Sequence, residues 1–313
     1  MGNGQEKSED KKIAFLFLLI PSIMLIVGYY IYPYPPGNLA SKLIQVPIFL
    51  GLILLGIGFL TKKDKVSNFI KIMGWIVFAF FWSTQPEVLY LSEDGDIFNA
   101  AVCIIGVYVL FYLAYNEWLS LKRNEKIGCL NWIAGATCIA GIIYYVIERT
   151  AIAPWMIEET SKQSAWVLNA IIGNVEAQGV NIYLNGAYVV TIIFACTAIQ
   201  AMVIFIGMIG ALSKVDTKRR VYGFLVTLVP IYILNLLRNA MVVFLVGNNI
   251  TDFNIAHNVI SKSGALITLI ILLLIIIKII PEIFDEIICL TDLYKRNGPI
   301  EGFIKKFIRR KKT

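Results

Sequence analysis

The stretch 221-VYGFLVTLVPIYILNLLRNAMVVFLV-246 is an apolar run that contains a single charged side chain, Arg238. As a helix rising about 1.5 Å per residue it extends about 39 Å, which exceeds the roughly 30 Å of a bilayer core. We therefore predict a transmembrane helix here. A charge in hydrocarbon is costly, and for that reason Arg238 is a candidate functional residue.

The whole chain repeats this pattern. Of its 313 residues, 58% are hydrophobic and only 16% are charged, and its mean hydropathy is +0.73. This composition excludes an ordinary soluble domain and is typical of helical membrane proteins. We predict an all-α, polytopic transmembrane helical bundle in the cell membrane, with about eight spans near 13–33, 43–61, 67–84, 97–116, 129–147, 186–210, 221–246 and 263–280.

The distribution of Lys and Arg predicts the orientation of this bundle. With a cytoplasmic N-terminus, 23 of the 28 Lys and Arg residues fall in inner segments or the C-terminal tail. Cytoplasmic segments carry an excess of positive charge, so both termini are expected to be cytoplasmic (N-in, C-in). Because this rule accounts for the net charge of +7, we expect no nucleic-acid partner.

The bundle divides into regions of different character. Residues 1–12 are polar and are expected to form a disordered cytoplasmic tail before the membrane domain, 13–280. Residues 150–185 have helix-like spacing of apolar residues and are expected to lie over the outer face as a lid. Residues 186–280 are expected to form the catalytic core. The basic amphipathic tail, 281–313, suits anionic cytoplasmic headgroups or is simply solvated.

Three residues of different chemistry fall on the outer side of the predicted topology. Cys196 lies about ten residues along the sixth predicted helix, roughly 15 Å below the outer surface, and Arg238 lies about 12 Å deep on the seventh. His257, the only histidine of the chain, lies in the following outer loop. A thiol, a permanent cation and an imidazole on one side of the membrane predict nucleophilic catalysis with an outward-facing active site.

Each of the three has an expected role. Cys196 would be the nucleophile. The guanidinium of Arg238 does not deprotonate in proteins, so it would favour the thiolate or stabilise the oxyanion of a tetrahedral intermediate. His257 would act as the general acid and base.

Amide side chains are expected to support this site. Asn235, Arg238 and Asn239 share one helical face, and so do Cys196 and Gln200 in the predicted sixth helix. Polar groups in hydrocarbon must find partners, so these faces should meet inside the bundle.

The other cysteines are expected to have no chemical role. They form no metal-ligand spacing, and we predict neither a disulfide framework nor a metal or other cofactor. They are expected to be small, buried apolar residues: Cys103, Cys129, Cys138 and Cys289.

The residues around these positions resemble the exosortase and archaeosortase family, and an archaeosortase most of all. The resemblance lies in FACTAIQ around Cys196, in the pattern P-x4-N-x2-R at Pro230, Asn235 and Arg238, and in the following His257. It covers about residues 185–280. Many members have Cys-Ser/Thr-Gly, whereas this chain has Cys-Thr-Ala, ending at position 198.

The resemblance implies a membrane cysteine transpeptidase. Its substrates would be secreted proteins that end in a short motif, a hydrophobic helix and a basic segment. It would cleave at the motif through a thioester and transfer the new C-terminus to an amine, which in archaeal relatives is a lipid headgroup.

Other functions are compatible with the sequence. Arg238 would bind an anionic substrate in a transporter, although it lies away from the midplane and no inverted repeat is visible. Glu158 and Glu159 would begin a glutamate-protease motif, but Gln163 stands where that motif has Arg. A structural membrane subunit is the remaining alternative.

Overall fold

The computed structural model describes residues 2–91 and 96–310, with side chains described for 12–91 and 96–305. The chain divides into two compact units: unit 1 comprises Met1–Cys138 and Glu286–Thr313, and unit 2 comprises Ile139–Asp285. In chain order, the α-helices are α1 (Gly2–Ile31), α2 (Asn38–Leu43), α3 (Gln45–Leu60), α4 (Asp64–Ser83), α5 (Gln85–Leu91), α6 (Ile97–Arg123), α7 (Gly128–Glu148), α8 (Ile152–Ile172), α9 (Ile199–Gly210), α10 (Thr217–Gly247), α11 (Lys262–Ile279), α12 (Glu282–Thr291) and α13 (Pro299–Arg310).

Seven helical segments in the described ranges are long and apolar enough to cross a membrane. They are Lys12–Ile31, Asn38–Leu60, Asp64–Leu91, Ile97–Arg123, Gly128–Glu148, Thr217–Gly247 and Ile255–Ile279. The predicted all-α, polytopic transmembrane bundle is thereby confirmed. The described residues contain seven such helices where about eight were expected, and unit 2 also contains a small sheet.

Close contact between α3 and α4 organises unit 1. A side chain at Gly51 would lie 2.9 Å from the backbone nitrogen of Phe78, and one at Gly74 would lie 3.0 Å from the side chain of Leu55. Small residues let membrane helices approach closely enough for extensive van der Waals contact. Glycines on facing helices therefore set this helix spacing.

A buried ion pair joins α4 to α6 in the same unit. Lys71 Nζ lies 2.9 Å from a carboxylate oxygen of Glu117, and the two side chains are 3% and 1% exposed. Charges removed from water are tolerated when they are paired with good geometry. The pair is therefore satisfied internally.

The C-terminal segment packs onto α6 and is not the solvated tail that the sequence also allowed. Arg296 donates to the backbone and side-chain oxygens of Asn116 and forms a 2.8 Å ion pair with Glu125. Glu301, 5% exposed, accepts a 2.7 Å hydrogen bond from Tyr112. Binding of this segment to lipid headgroups stays a prediction.

Two further expectations are wrong. Cys129 and Cys289 form a disulfide, with their Cα atoms 5.9 Å apart, because docking of the C-terminal segment brings α12 to the start of α7. The segment 1–12 is helical from Gly2, as the first turns of α1, and not a disordered tail.

A three-stranded antiparallel sheet lies in unit 2, with strands β1 (Val175–Gln178), β2 (Asn181–Leu184) and β3 (Ala187–Thr191) in the order β1-β2-β3. One face of the sheet is buried in an apolar cluster with residues of α8 and α10, and it presents Val175, Ile182, Leu184 and Val190. The sheet is thereby anchored to two helices.

The predicted sixth helix, 186–210, is therefore wrong as a single helix. Strand β3 is followed by a 3₁₀ turn, Phe194–Cys196, and only then by α9. Asn185 and Gly186 adopt positive φ values of 52° and 78° in the β2–β3 turn, and β-branched residues occupy 189–193. Both features favour strands.

The predicted lid, 150–185, contains a long helix, as expected, but it also contains β1 and β2. Helix α8 packs against α10 and against β1. The buried residues of α8 include Thr160, Ser161 and Ser164, whereas Trp155 and Trp166 are exposed. Its location on the membrane surface stays a prediction.

Candidate active site

Cys196 occupies the break between β3 and α9. It closes the 3₁₀ turn and is 7% exposed. Its backbone N–H donates to Ile193 O, and the Thr197 hydroxyl donates to Phe194 O at 2.7 Å. These local bonds hold the cysteine immediately before a helix.

The residue that starts this helix has a strained backbone. Ala198 is the N-cap of α9 and has a φ of +66°, in the left-handed region. That region costs an alanine roughly 1–2 kcal/mol, whereas glycine adopts it readily. The departure from Cys-Ser/Thr-Gly noted in the sequence thus falls at the position whose geometry favours glycine.

Two amide side chains of α10 converge on the turn that contains Cys196. The side-chain nitrogens of Asn235 and Asn239 donate to the carbonyl oxygen of Cys196, at 2.7 Å and 3.1 Å. Both asparagines are buried, at 7% and 4% exposure. One turn of α10 therefore fixes the backbone of Cys196, as the shared helical face of these residues predicts.

Arg238 lies on the same turn of α10. One of its terminal nitrogens donates to Asn239 Oδ1 at 3.0 Å, and Asn239 in turn donates to the carbonyl of Cys196. Its Nε is buried and has no hydrogen-bond partner among the described residues. Positive charge near a thiol favours the thiolate, and a donor without a partner is a candidate to bind a developing oxyanion.

Helix α8 contributes a residue that the sequence did not single out. Asn239 also donates to the hydroxyl of Ser164, at 3.4 Å, and Ser164 is fully buried. On the same helix, Gln163 accepts a 2.6 Å hydrogen bond from Tyr232 of α10. The polar spacing of Thr160, Ser161 and Ser164 on one side of an amphipathic helix was the available signal.

His257 lies in a π-helical turn, Ile255–Ser261, that continues into α11 and replaces the expected loop. Its ring stacks on that of Phe253, with the centroids 5.1 Å apart. The preceding residue, Ala256, is fully buried in the apolar cluster that also contains Cys196. Contact of His257 with Cys196 or Arg238 stays a prediction.

Gln200 is placed differently from the expectation. It lies in α9, whereas Cys196 precedes that helix, so the two do not share a helical face. Gln200 is exposed and donates to the hydroxyl of Tyr144 at 3.1 Å. Among the described residues, no hydrogen bond joins Gln200 to Cys196.

The position of Cys196 also has an electrostatic consequence. The first N–H groups of an α-helix have no partner within the helix and carry a partial positive charge. The N-cap of α9 makes no side-chain hydrogen bond to these groups. They adjoin Cys196, where they can favour a thiolate or bind an oxyanion.

Comparison with known proteins identifies the family. The model of the transmembrane exosortase family (Exosortase_EpsH) matches residues 48–277, which is most of the chain. Archaeosortase A of Haloferax volcanii is 22% identical over 291 residues, and the match covers 80% of this chain and 93% of that protein. No solved structure gives a significant match. On the extent of the first match, this chain belongs to the transmembrane exosortase family.

Proposed function

We propose that this protein is a cysteine transpeptidase that processes the C-terminal sorting signals of secreted proteins. Its family, and its similarity to an archaeosortase, support a membrane sorting transpeptidase in coarse terms. One observation carries the finer proposal. The side chains of Asn235 and Asn239 donate to the carbonyl of Cys196, and Arg238, on the same turn of α10, donates to Asn239.

In the first half-reaction the Cys196 thiolate attacks the carbonyl carbon of the scissile peptide bond. The resulting oxyanion is stabilised by Arg238 and by backbone N–H groups at the start of α9. Collapse of this intermediate forms a thioester and breaks the C–N bond. The departing amine, on the substrate's hydrophobic helix, takes a proton from His257, which received it from the thiol.

In the second half-reaction an acceptor amine attacks the thioester carbonyl. His257 takes the amine proton, the C–S bond breaks, and the thiol is restored while a new amide forms. Cys196 is nearly buried, which limits the access of competing water and favours an amine over hydrolysis. We propose a lipid headgroup amine as the acceptor.

The length of α9 is compatible with this acceptor. A helix of 12 residues is about 18 Å long, so it covers only part of a hydrocarbon core of roughly 30 Å. If its C-terminus lies at the cytoplasmic boundary, its N-terminus and Cys196 lie about 12 Å below the outer boundary. The scissile bond, next to the substrate's helix, can lie at that depth. Local thinning of the bilayer, or tilting of a lipid, would bring a headgroup amine to it.

Replacement of the nucleophile tests the proposal. In host cells, Cys196→Ala should abolish processing of a secreted protein that ends in a hydrophobic helix and basic residues. The matched controls are Cys103→Ala and Cys138→Ala, which remove the other free cysteines. Mass spectrometry of the substrate's new C-terminus should find an amide-linked amine. A free carboxylate would make the enzyme a protease, and unchanged processing by Cys196→Ala would refute the thiol mechanism.

A further inference from the structure

Among the residues that the structure describes, no strand pairs with the outer edge of β3, and this edge leads directly to Cys196. In the sheet order β1-β2-β3, strand β3 pairs on one side only, with β2. Four residues separate Thr191, at its end, from Cys196. An exposed strand edge presents backbone N–H and C=O groups that can pair with another chain.

The register identifies which groups face outward. Ile192 N–H donates to Val180 O at 2.8 Å, and Ile182 is paired with Val190. Bonded and non-bonded pairs alternate in an antiparallel ladder, so the intervening pair, Asn181 with Thr191, is not bonded. The N–H and C=O of Thr191 therefore point away from β2.

The same direction continues towards the cysteine. Ile193 has an extended backbone, with φ −114° and ψ 172°, so its N–H points to the same side as that of Thr191. Thr191 is exposed, and the side chain of Ile193 is 48% exposed. Both residues are thus open to a partner, and the spacing of their outward groups is the two-residue repeat of a strand, about 6.6 Å.

We propose that the substrate's sorting motif binds in an extended conformation as an added strand on this edge of β3. This inference rests on the proposed function, because it specifies how the scissile bond reaches Cys196. Main-chain hydrogen bonds to Thr191 and Ile193 would give affinity, as in other cases of strand addition. Every second side chain of the peptide would lie over the exposed face of the sheet, beside Tyr188, which is 57% exposed.

The occupant follows from continuity with the nucleophile. A peptide paired with residues 191–193 lies beside the segment that continues to Cys196. The opposite edge of the sheet, β1, is two strands and roughly 10 Å away. On that edge Ala177 has the corresponding outward-facing backbone. Its partner Ile182 directs its N–H and C=O to β3, so the hydrogen-bonded pairs between β1 and β2 are those on either side, at Glu176 and Gln178. Ala177 therefore supplies a matched control.

The test uses peptidyl chloromethyl ketones of mixed sequence, which alkylate a thiolate with loss of chloride, and iodoacetamide, which needs no peptide site. Alkylation of Cys196 in the full-length protein is followed by mass spectrometry. Thr191→Pro should slow the peptidyl reagents roughly tenfold, the effect of one lost hydrogen bond, and leave iodoacetamide unaffected. Ala177→Pro should change neither rate.

A second series leaves the protein unchanged. N-methylation of the peptide at one position should slow alkylation roughly tenfold, while methylation at the next position has little effect, because alternate N–H groups face β3. A flat series, or a Thr191→Pro variant that reacts like wild type, would overturn strand addition. Absence of reaction between Cys196 and both reagents in wild type would instead count against the proposed function.

Discussion

The two units treat buried cations in opposite ways. In unit 1, Lys71 is paired with Glu117 at 2.9 Å, and Arg296 with Glu125 at 2.8 Å. In unit 2, Arg238 contacts the neutral amide of Asn239, and its Nε has no hydrogen-bond partner among the described residues. A neutralised cation holds helices together, whereas one whose partners are neutral retains its field for a thiolate, an oxyanion or a substrate.

The two units also differ in the interactions that hold the C-terminal segment and the Cys196 turn in place. The Arg296 contacts and the Cys129–Cys289 bond tie a distant segment of sequence to α6 and α7. In unit 2, neutral hydrogen bonds from two asparagines hold the cysteine turn. The segment docked in unit 1 is thus held by charged groups and a covalent bond, whereas the turn that contains Cys196 is held by neutral amides.

After the loss expected from Cys196→Ala, the largest effect is expected at His257. His257→Ala should lower the processing rate about 10²–10⁴-fold, because acid–base assistance is lost. The control is Asn258→Ala, which alters the next residue of the same π-helical turn. Substrate cleavage in membranes measures both. Equal rates for the two variants would remove His257 from the mechanism and confine the chemistry of unit 2 to Cys196 and Arg238.

The ion pair of unit 1 should matter for stability and not for chemistry. Glu117→Leu leaves Lys71 buried without its partner and should destabilise the protein by about 3–5 kcal/mol. The double variant Lys71→Met/Glu117→Leu should recover most of that loss, since two apolar side chains can replace a buried pair.

Thermal unfolding in detergent checks the stabilities, and cleavage per folded molecule checks the chemistry. A double variant that folds well and yet fails to process substrate would show that the ion pair of unit 1 is needed for the chemistry.

Arg238→Lys should reduce the rate about 10²–10³-fold, the usual effect of losing an oxyanion donor. An ammonium keeps the charge but lacks the planar fork of donors. The matched control is Arg220→Lys on the same helix, whose guanidinium bonds the backbone of Leu212. Steady-state cleavage kinetics distinguish them, and an active Arg238→Lys variant would show that positive charge alone suffices.

The smallest effect is expected at Ala198. Ala198→Gly should stabilise the protein by about 1 kcal/mol, because glycine relieves the positive φ at the start of α9. As a control, Ala201→Gly within α9 should destabilise it by about 0.5–1 kcal/mol. Thermal unfolding measures both, and a loss of stability in Ala198→Gly would contradict strain at this turn.

The sequence predicted the parts of the molecule that depend on helical periodicity. Long apolar runs correctly indicated a helical membrane bundle, and the i, i+4 spacing of Asn235 and Asn239 indicated one polar face on α10. That face carries the two bonds to Cys196. Periodicity was informative here because one continuous helix contains the whole pattern.

It failed where an apolar run changes secondary structure. The segment 186–210 is mostly apolar, and an apolar run alone does not distinguish a strand from a helix. The Asn185-Gly186 pair and the β-branched residues 189–193 were the missed signals of a hairpin. Pairing of Cys129 with Cys289 could not be predicted, since it depends on docking of segments 160 residues apart.

That disulfide makes the covalent chain a ring with two tails. The ring runs from Cys129 to Cys289 and contains all of unit 2, Ile139–Asp285. A protease cut within unit 2 therefore opens the ring without releasing a fragment. On a denaturing gel the nicked protein should migrate as one molecule until a thiol reductant divides it into two.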